Sequence, residues 1–284
     1  MFNRGLEISV DGSVYRNKNI DWTLNANFTF NHNEITELDP SVPETGLTYS
    51  SSIIKVGGSI YQAYMLKYAG VERETGKALY YMDEKDSDGN VIGQKTTTNY
   101  EDATYYDCGT TLPTVVGGFG TTFTAYGFDI AAQFSFQLGG KIYDGSYQRT
   151  MGYDPGSNMH KDLRNAWTED NRDTNIPRWS SAAADDGFLV GSQTAIDYFL
   201  TSSDYLSLSN LSVGYSIPKK WAKKMAMSNL RVYFAGENLF LLTKRQGLDP
   251  RYNYGLGSMT SGSGMLSDSY AAGRSITGGI SLTF

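Results

Sequence analysis

The sequence predicts an all-β chain that forms a segment of an antiparallel transmembrane β-barrel, about nine strands, with long extracellular loops. Three observations predict it: apolar residues at every second position in several separate stretches, charges confined to the opposite face of those stretches, and connections that alternate between short and long. Composition points the same way. With 31 glycines, 21 tyrosines and 13 phenylalanines, and only 40% hydrophobic residues, the chain favours many short strands and turns over helix bundles. No run of about 20 apolar residues occurs, so no membrane-spanning helix is expected. Alternating barrel strands keep the average polar, which suits a mean hydropathy of -0.38.

Residues 5 to 15 set Leu6, Ile8, Val10, Gly12 and Val14 against Glu7, Ser9, Asp11, Ser13 and Tyr15. After the turn at 16 to 20 the pattern resumes at Trp22, with Leu24, Ala26, Phe28 and Phe30 opposite Thr23, Asn25, Asn27, Thr29 and Asn31. Residues 39 to 56, with two prolines, read as a loop. Strands are expected over 58 to 69 and 77 to 83, and a polar loop over 84 to 111. The hairpin from 113 to 139 pivots near Ala125 to Gly127, and its second strand sets Phe128, Ile130, Phe134 and Phe136 against Asp129, Gln133 and Gln137.

Residues 144 to 203 form the longest irregular region, with a short helix expected near Lys161 to Thr168. In the strand from Tyr205 to Ile217, Leu206 and Leu208 fall out of phase with Leu211, Val213 and Tyr215, so its upper part is expected to project beyond the bilayer and pack against loops. A basic turn of helical character, PKKWAKKMA, follows; its lysines are expected to meet water and lipid headgroups, with an amphipathic membrane-surface element as the other reading. The strand from Asn229 to Asn238 places Val232 and Phe234 opposite Arg231 and Glu237. A Gly- and Ser-rich loop at 242 to 272 precedes the closing strand, where Ile276, Ile280 and Leu282 share a face and the chain ends on Phe284. Such an aromatic-ended strand resembles the signal read by the bacterial barrel-assembly machinery.

Phe128, Ile130, Phe134, Phe136, Val232, Phe234, Ile276, Ile280 and Leu282 are therefore expected to face lipid. Glu7, Asp11, Asp129, Gln133, Gln137, Arg231 and Glu237 are expected to face the lumen, because a charge at the bilayer midplane costs roughly 2–4 kcal/mol on the lipid side. Outer-membrane barrels have short periplasmic turns and long external loops. Placing Phe284 in the periplasm makes 242 to 272 and 144 to 203 external, and the turns at 218 to 228 and 125 to 127 internal. Keeping 16 to 20 internal then calls for an even number of strands before 113, hence KALYYMD at 77 to 83 as the ninth strand, with 39 to 56 and 84 to 111 outside. A soluble β-sandwich carbohydrate-binding module would segregate charges as well, and is the other reading.

From Tyr205 onward the residues carry a resemblance. The runs DYLSLSNLSVGYSIPKKW, LRVYFAGENLFLLTKRQGLDP and YAAGRSITGGISLTF look like the C-terminal end of SusC/RagA-like TonB-dependent outer-membrane transporters. Leu206, Leu208, Leu211, Gly214, Tyr215, Pro218, Asn238, Leu239, Phe240, Gly247, Asp249 and Pro250 fit that pattern. Upstream, GLEISV and the spacing of Trp167, Asn171, Pro177 and Arg178 fit too. Ser207, where the family often has Arg, Arg251, where an acid is common, and Ala272, where Pro is usual, depart from it.

The resemblance implies a bacterial outer-membrane location and a longer protein whose 22-stranded barrel holds a plug. A TonB-contacting segment would then lie outside this chain, and the opening MFNRGLEISV, which lacks the basic start and apolar core of a secretion signal, agrees with that expectation. It also implies a SusD-type surface lipoprotein as partner, with oligosaccharides or peptides as cargo.

Reactive chemistry is sparse. Cys108 is the only cysteine, which excludes an intrachain disulfide and a thiolate metal cluster. His32 and His160 lack a second histidine at ligand spacing, so neither a metal nor another cofactor is expected. No nucleophile elbow or phosphate loop occurs, and Asp185 and Asp186 are adjacent loop carboxylates that point apart; no enzyme is expected. The net charge of -6 argues against a nucleic-acid partner. Glu84, Asp86 and Asp88 alternate before Gly89 as in a calcium loop, but Lys95 stands where the bidentate Glu belongs. Tyr153, Trp167, Trp179 and Tyr198 in the long loop are candidates to stack on a sugar or contact a partner, against a simpler role as loop anchors.

Overall fold

The computed structural model describes residues 1–49, 51–152, 156, 158–180, 194–245, 247–252, 265–266 and 272–284. In chain order the strands are β1 (Phe2–Arg16), β2 (Ile20–Glu34), β3 (Leu47–Tyr49), β4 (Ser52–Ile54), β5 (Gln62–Leu66), β6 (Tyr68–Val71), β7 (Ala78–Lys85), β8 (Val91–Thr97) and β9 (Tyr105–Thr110). They continue with β10 (Val115–Ala125), β11 (Phe128–Leu138), β12 (Lys141–Asp144), β13 (Leu200–Ser202), β14 (Tyr205–Ser216), β15 (Asn229–Thr243), β16 (Met265–Leu266) and β17 (Ser275–Thr283). Helix α1 (Gly145–Met151) follows β12, and α2 (Lys219–Lys224) joins β14 to β15.

One large antiparallel sheet runs β1-β2-β10-β11-β14-β15-β17. Its strands are 9 to 15 residues long, the length a tilted strand needs to cross a bilayer. All three short connections, at 17–19, 126–127 and 217–228, lie at one end, and all three long ones at the other. The tightest is Tyr126-Gly127, both with positive φ (50° and 92°), the geometry that lets a two-residue turn follow the twist of its strands. The long connections carry three smaller sheets, β3-β4-β5-β9, β6-β7-β8 and β13-β12-β16, which with α1 build a cap.

The all-β class and the antiparallel sheet are as the sequence predicts. The expected nine strands are corrected to seven in the large sheet among the described residues. Segments 58–69 and 77–83 contribute β5, β6 and β7 to cap sheets, and β2 pairs directly with β10. The alternation of short and long connections needs an even number of strands between β2 and β10; two were expected and none is present. Residues 84–111, expected as a loop, hold β8 and β9, and 39–56 hold β3 and β4. The helix expected near Lys161 is a 3-10 turn, Lys161–Asn165.

Leu206 and Leu208 are also corrected. Ser209 has no partner on β11, so the register steps from Gln133↔Asn210 to Phe134↔Leu208. This bulge turns Leu206 and Leu208 onto the face of Leu211 and Val213. On β15 the step is matched by Asn238 (φ 52°) and Leu239, after which Phe240 and Leu242 pair with Leu208 and Leu206. Both bulges keep one apolar face continuous through the upper part of the sheet.

Burial is inverted relative to a water-soluble fold. The buried core lies in the cap: Leu66, Ile196 and Phe199 are inaccessible, and Ala63, Met65, Tyr80, Tyr143, Met151 and Ile176 join them. On the large sheet many of the big apolar side chains stand exposed, Ile276 and Ile280 at 62% and 66%, while Phe134 and Phe136 in its middle are half-buried and Leu208 near the cap is buried. Among the described residues no second sheet lies over that face, as a sandwich would require.

Candidate functional site: two faces, a cap and a cavity

Directly paired residues on neighbouring strands share a face, so the register sorts every side chain of the large sheet. Chains of partners such as Ile8↔Phe28↔Gly117↔Phe136↔Leu206↔Leu242 collect the apolar residues on one face. Phe128, Ile130, Phe134, Phe136, Val232, Phe234, Ile276, Ile280 and Leu282 all fall there. Their aromatic rings form a patch, with Phe119 stacked on Phe134 at 4.8 Å and Phe28 tilted against Phe136 at 5.7 Å. Trp22 lies on the same face, its indole N–H donating to Thr121 Oγ1 at 2.9 Å. The charged residues on this face, Arg4, His32 and Glu34, stand at the cap end.

Glu7, Asp11, Asp129, Gln133, Gln137, Arg231 and Glu237 fall on the other face. There Arg231 Nε donates to Asp129 Oδ1 at 2.9 Å across the intervening β14, and its guanidinium lies 5.0 Å over the Tyr233 ring. Glycine makes the crossing possible. A Cβ at Gly214 would sit 2.4 Å from Arg231, and one at Gly279 would sit 2.5 Å from the Tyr233 ring. Gln137 departs from its neighbours by being buried at 2%, its amide donating to Ser203 Oγ at 2.8 Å. The cap root covers this polar face at its upper end.

The cap core is built around tyrosines whose hydroxyls are paired. Tyr143 OH donates to Gln148 Oε1 at 2.7 Å, and Tyr68 OH to the Asn175 carbonyl at 3.0 Å. Burial raises the phenol pKa of Tyr68, Tyr80 and Tyr143 above the ordinary value. Asp197, also pushed up by burial, accepts from the Tyr68 N–H at 2.8 Å and so ties the root of β6 to the 3-10 turn at Asp197–Phe199.

Of the four aromatic contact candidates, two are built into the cap. Trp167 Nε1 donates to the Arg73 carbonyl at 3.1 Å, and its ring covers Gly76 so closely that a Cβ there would meet it at 2.4 Å. The Arg178 N–H donates to the Gly76 carbonyl and Asn171 Nδ2 to the Asn165 carbonyl, so the Trp-Asn-Pro-Arg spacing serves to lock this loop. Tyr198 packs edge-on against Tyr68 at 5.2 Å and Phe199 at 5.1 Å. Trp179 is 48% exposed. Tyr153 lies outside the described residues, as do Asp185 and Asp186.

A cavity of about 500 Å³ opens where β2 leaves the sheet, lined by Asn31, Asn33, Lys55, Gln62, Asp107 and Thr110 among others. Asp107 organises it, accepting from Gln62 Nε2 at 2.5 Å and the Gly109 N–H at 2.9 Å and pairing with Lys55 Nζ at 2.6 Å. Burial works to raise its pKa, and the bonds from Lys55, Gln62 and Gly109 together outweigh that and hold the carboxyl below the usual range. Asn33 Oδ1 accepts from Ser59 Oγ and the Ile60 N–H. Such a lining can hydrogen-bond hydroxyls and amides.

The calcium-like stretch is a hairpin tip. Asp86 accepts from the N–H groups of Asp88 and Asn90 and from Asn90 Nδ2, and Glu84 pairs with Lys95 at 3.5 Å. The carboxylates close the β7–β8 turn, and among the described residues no group of three or more His, Cys, Asp and Glu gathers as a metal site would need.

The Asn-Leu-Phe and Asp-Pro elements are joined by a residue the sequence marked only as a departure. Arg251 donates to Asp249 through Nε at 2.9 Å and Nη2 at 2.7 Å, and Nη1 donates to Ser207 Oγ and Asn238 Oδ1 at 2.9 Å each. Asp249 is itself buried, which works to raise its pKa, and the bonds and charge of Arg251 with the backbone bond from Ala272 together outweigh that and hold the carboxyl below the ordinary range. Ser207 and Arg251, two of the departures noted from the sequence pattern, thus touch each other. Sequence reasoning missed this clamp and the Lys55–Asp107 pair because Ser207 and Asn238 lie far from Arg251 in the chain, as Lys55 does from Asp107.

No known family profile matches the chain. It is 26% identical to TonB-dependent receptor P3 of Formosa agariphila and 26% identical to TonB-dependent receptor SusC of Bacteroides thetaiotaomicron, over 89% of its own length in each case. It spans only about a quarter of those relatives, 25% and 24%. Its fold matches the solved RagAB peptide transporter with a TM-score of 0.76 at 29% identity, covering 99% of this chain and 29% of that one. The RagAB peptide importer in its "open-open" state matches at a TM-score of 0.72 and 28% identity. In sequence and in fold, this chain is SusC/RagA-like and resembles part of a TonB-dependent transporter.

Proposed function

We propose that the chain is the C-terminal part of the barrel wall of a TonB-dependent transporter in a bacterial outer membrane. One observation carries this reading: a sheet of strands long enough to cross a bilayer has a continuous apolar face, a charged opposite face, and its short and long connections sorted to opposite ends. The apolar face meets acyl chains, and the face of Glu7, Asp11, Asp129, Gln133, Gln137, Arg231 and Glu237 turns to the lumen. β1 and β17 each pair on one side only and would continue into the rest of a plugged barrel. The plug and the TonB-contacting segment belong to polypeptide outside these residues.

The cargo in this reading is an oligosaccharide or peptide, delivered beneath a SusD-type lipoprotein that lids the cap, with Trp179 as a contact. The cavity at Asp107 offers hydrogen bonds suited to either cargo. In this reading the chain helps to enclose the lumen through which the cargo passes.

Cysteine labelling in intact outer membranes tests the core of this. Thr277→Cys should react with a small water-soluble maleimide, and Ile280→Cys should stay protected until detergent is added. Equal labelling of both positions in intact membranes would sink the membrane reading.

A further inference from the structure

The connection between β14 and β15 carries a chemistry that barrel closure does not require. Helix α2 sits at the short-turn end and holds Lys219, Lys220, Lys223 and Lys224, all exposed. No Asp or Glu occurs between Tyr205 and Gly236, and none of the four lysines forms an ion pair among the described residues. Trp221 and Met225, one helical turn apart, stand 63% and 45% exposed, while Ala222 on another side is fully buried against the protein. An indole and a thioether are thus held out beside four cations.

The same end of the sheet presents Tyr126, Phe128 and Phe284, all exposed, next to the apolar face. Aromatic side chains with a polar edge settle at the level of lipid headgroups, where lysines reach phosphate. Helix α2 follows directly from β14 at the short-turn end, the level at which the apolar face of the sheet would give way to headgroups. We propose that α2 is a docking surface for anionic phospholipid headgroups in the leaflet reached by the short turns, with Trp221 as the wedge and the four lysines as the phosphate contacts. This deepens the membrane reading above and rests on it.

The test uses the full-length polypeptide that carries this chain, reconstituted in an equimolar mixture of phosphatidylglycerol and phosphatidylcholine with one lipid brominated at a time. Emission from Trp221 is isolated by difference against Trp221→Phe, and Trp22 on the apolar face reports insertion. Brominated phosphatidylglycerol should quench Trp221 in preference to brominated phosphatidylcholine. The preference should reflect roughly fivefold local enrichment at low ionic strength, the effect of one well-placed lysine. It should fall toward parity with added salt and in the Lys219→Gln, Lys220→Gln, Lys223→Gln, Lys224→Gln variant, whose Trp22 quenching stays unchanged if it is folded and inserted. Equal quenching of wild-type Trp221 by the two lipids, or none while Trp22 is quenched, overturns the docking surface alone. Absence of quenching at Trp22 overturns the membrane reading and the proposal with it.

Discussion

The large sheet and the cap solve opposite problems with the same chain. In the cap, Leu66, Ile196 and Phe199 are packed away from solvent and tyrosine hydroxyls find partners inside. On the sheet, phenylalanines and isoleucines point outward, and polar groups pair across the other face. In the membrane reading proposed above, a lipid surface inverts the usual reward for burial, so the sheet needs no core of its own, whereas the cap, in water, must make one. Stability is therefore expected to answer to different kinds of substitution in the two regions.

The largest effect should come from emptying the cap core. Phe199→Ala should destabilise the cap by about 3–5 kcal/mol through lost burial and the cavity left behind. Hydrogen exchange should rise in β5, β7 and β12 and leave β10 and β11 protected; exchange rising equally in the sheet would erase the distinction between the regions. Next, Phe234→Arg on the apolar face should cost about 2–4 kcal/mol in a bilayer if Phe234 lies near midplane. Thr277→Arg on the opposite face should change little, as judged by urea unfolding in liposomes.

Gly214→Ala should come third, at about 1–3 kcal/mol, because the added methyl displaces Arg231 from Asp129. Asp129→Ala in the same background should add little more, which a double-mutant cycle would measure. Smallest is the effect of acid on the cavity. The Asp107 carboxyl is held below its usual range, so its contribution is complete above the unfolded carboxylate pKa and is lost as pH falls through the lower folded value. Exchange at the β5–β9 pairing should therefore rise in acid, and Asp107→Asn should remove that pH dependence.

Much of the sheet was legible in advance because a strand with one apolar and one polar face writes its orientation into every second residue. The hairpin at Tyr126-Gly127, the charge face and the basic helix at 219–224 were all readable at short range. Leu206 and Leu208 were misread because one extra residue, Ser209, reverses parity without leaving a local mark. The cap was opaque for a different reason: Leu66, Tyr143 and Phe199 form one core from distant, aperiodic segments, and tyrosines read as loop residues until their hydroxyl partners are seen.

The sequence by itself determined which side of each regular strand is apolar, since alternation is a property of the extended backbone. The tertiary structure alone decided that β2 pairs with β10, so that 58–69 and 77–83 leave the wall for the cap, and that Arg251 binds Asp249, Ser207 and Asn238 together. Strand order and hydrogen bonds between distant segments depend on which segments meet, and that is settled by competing packing energies that no local pattern records.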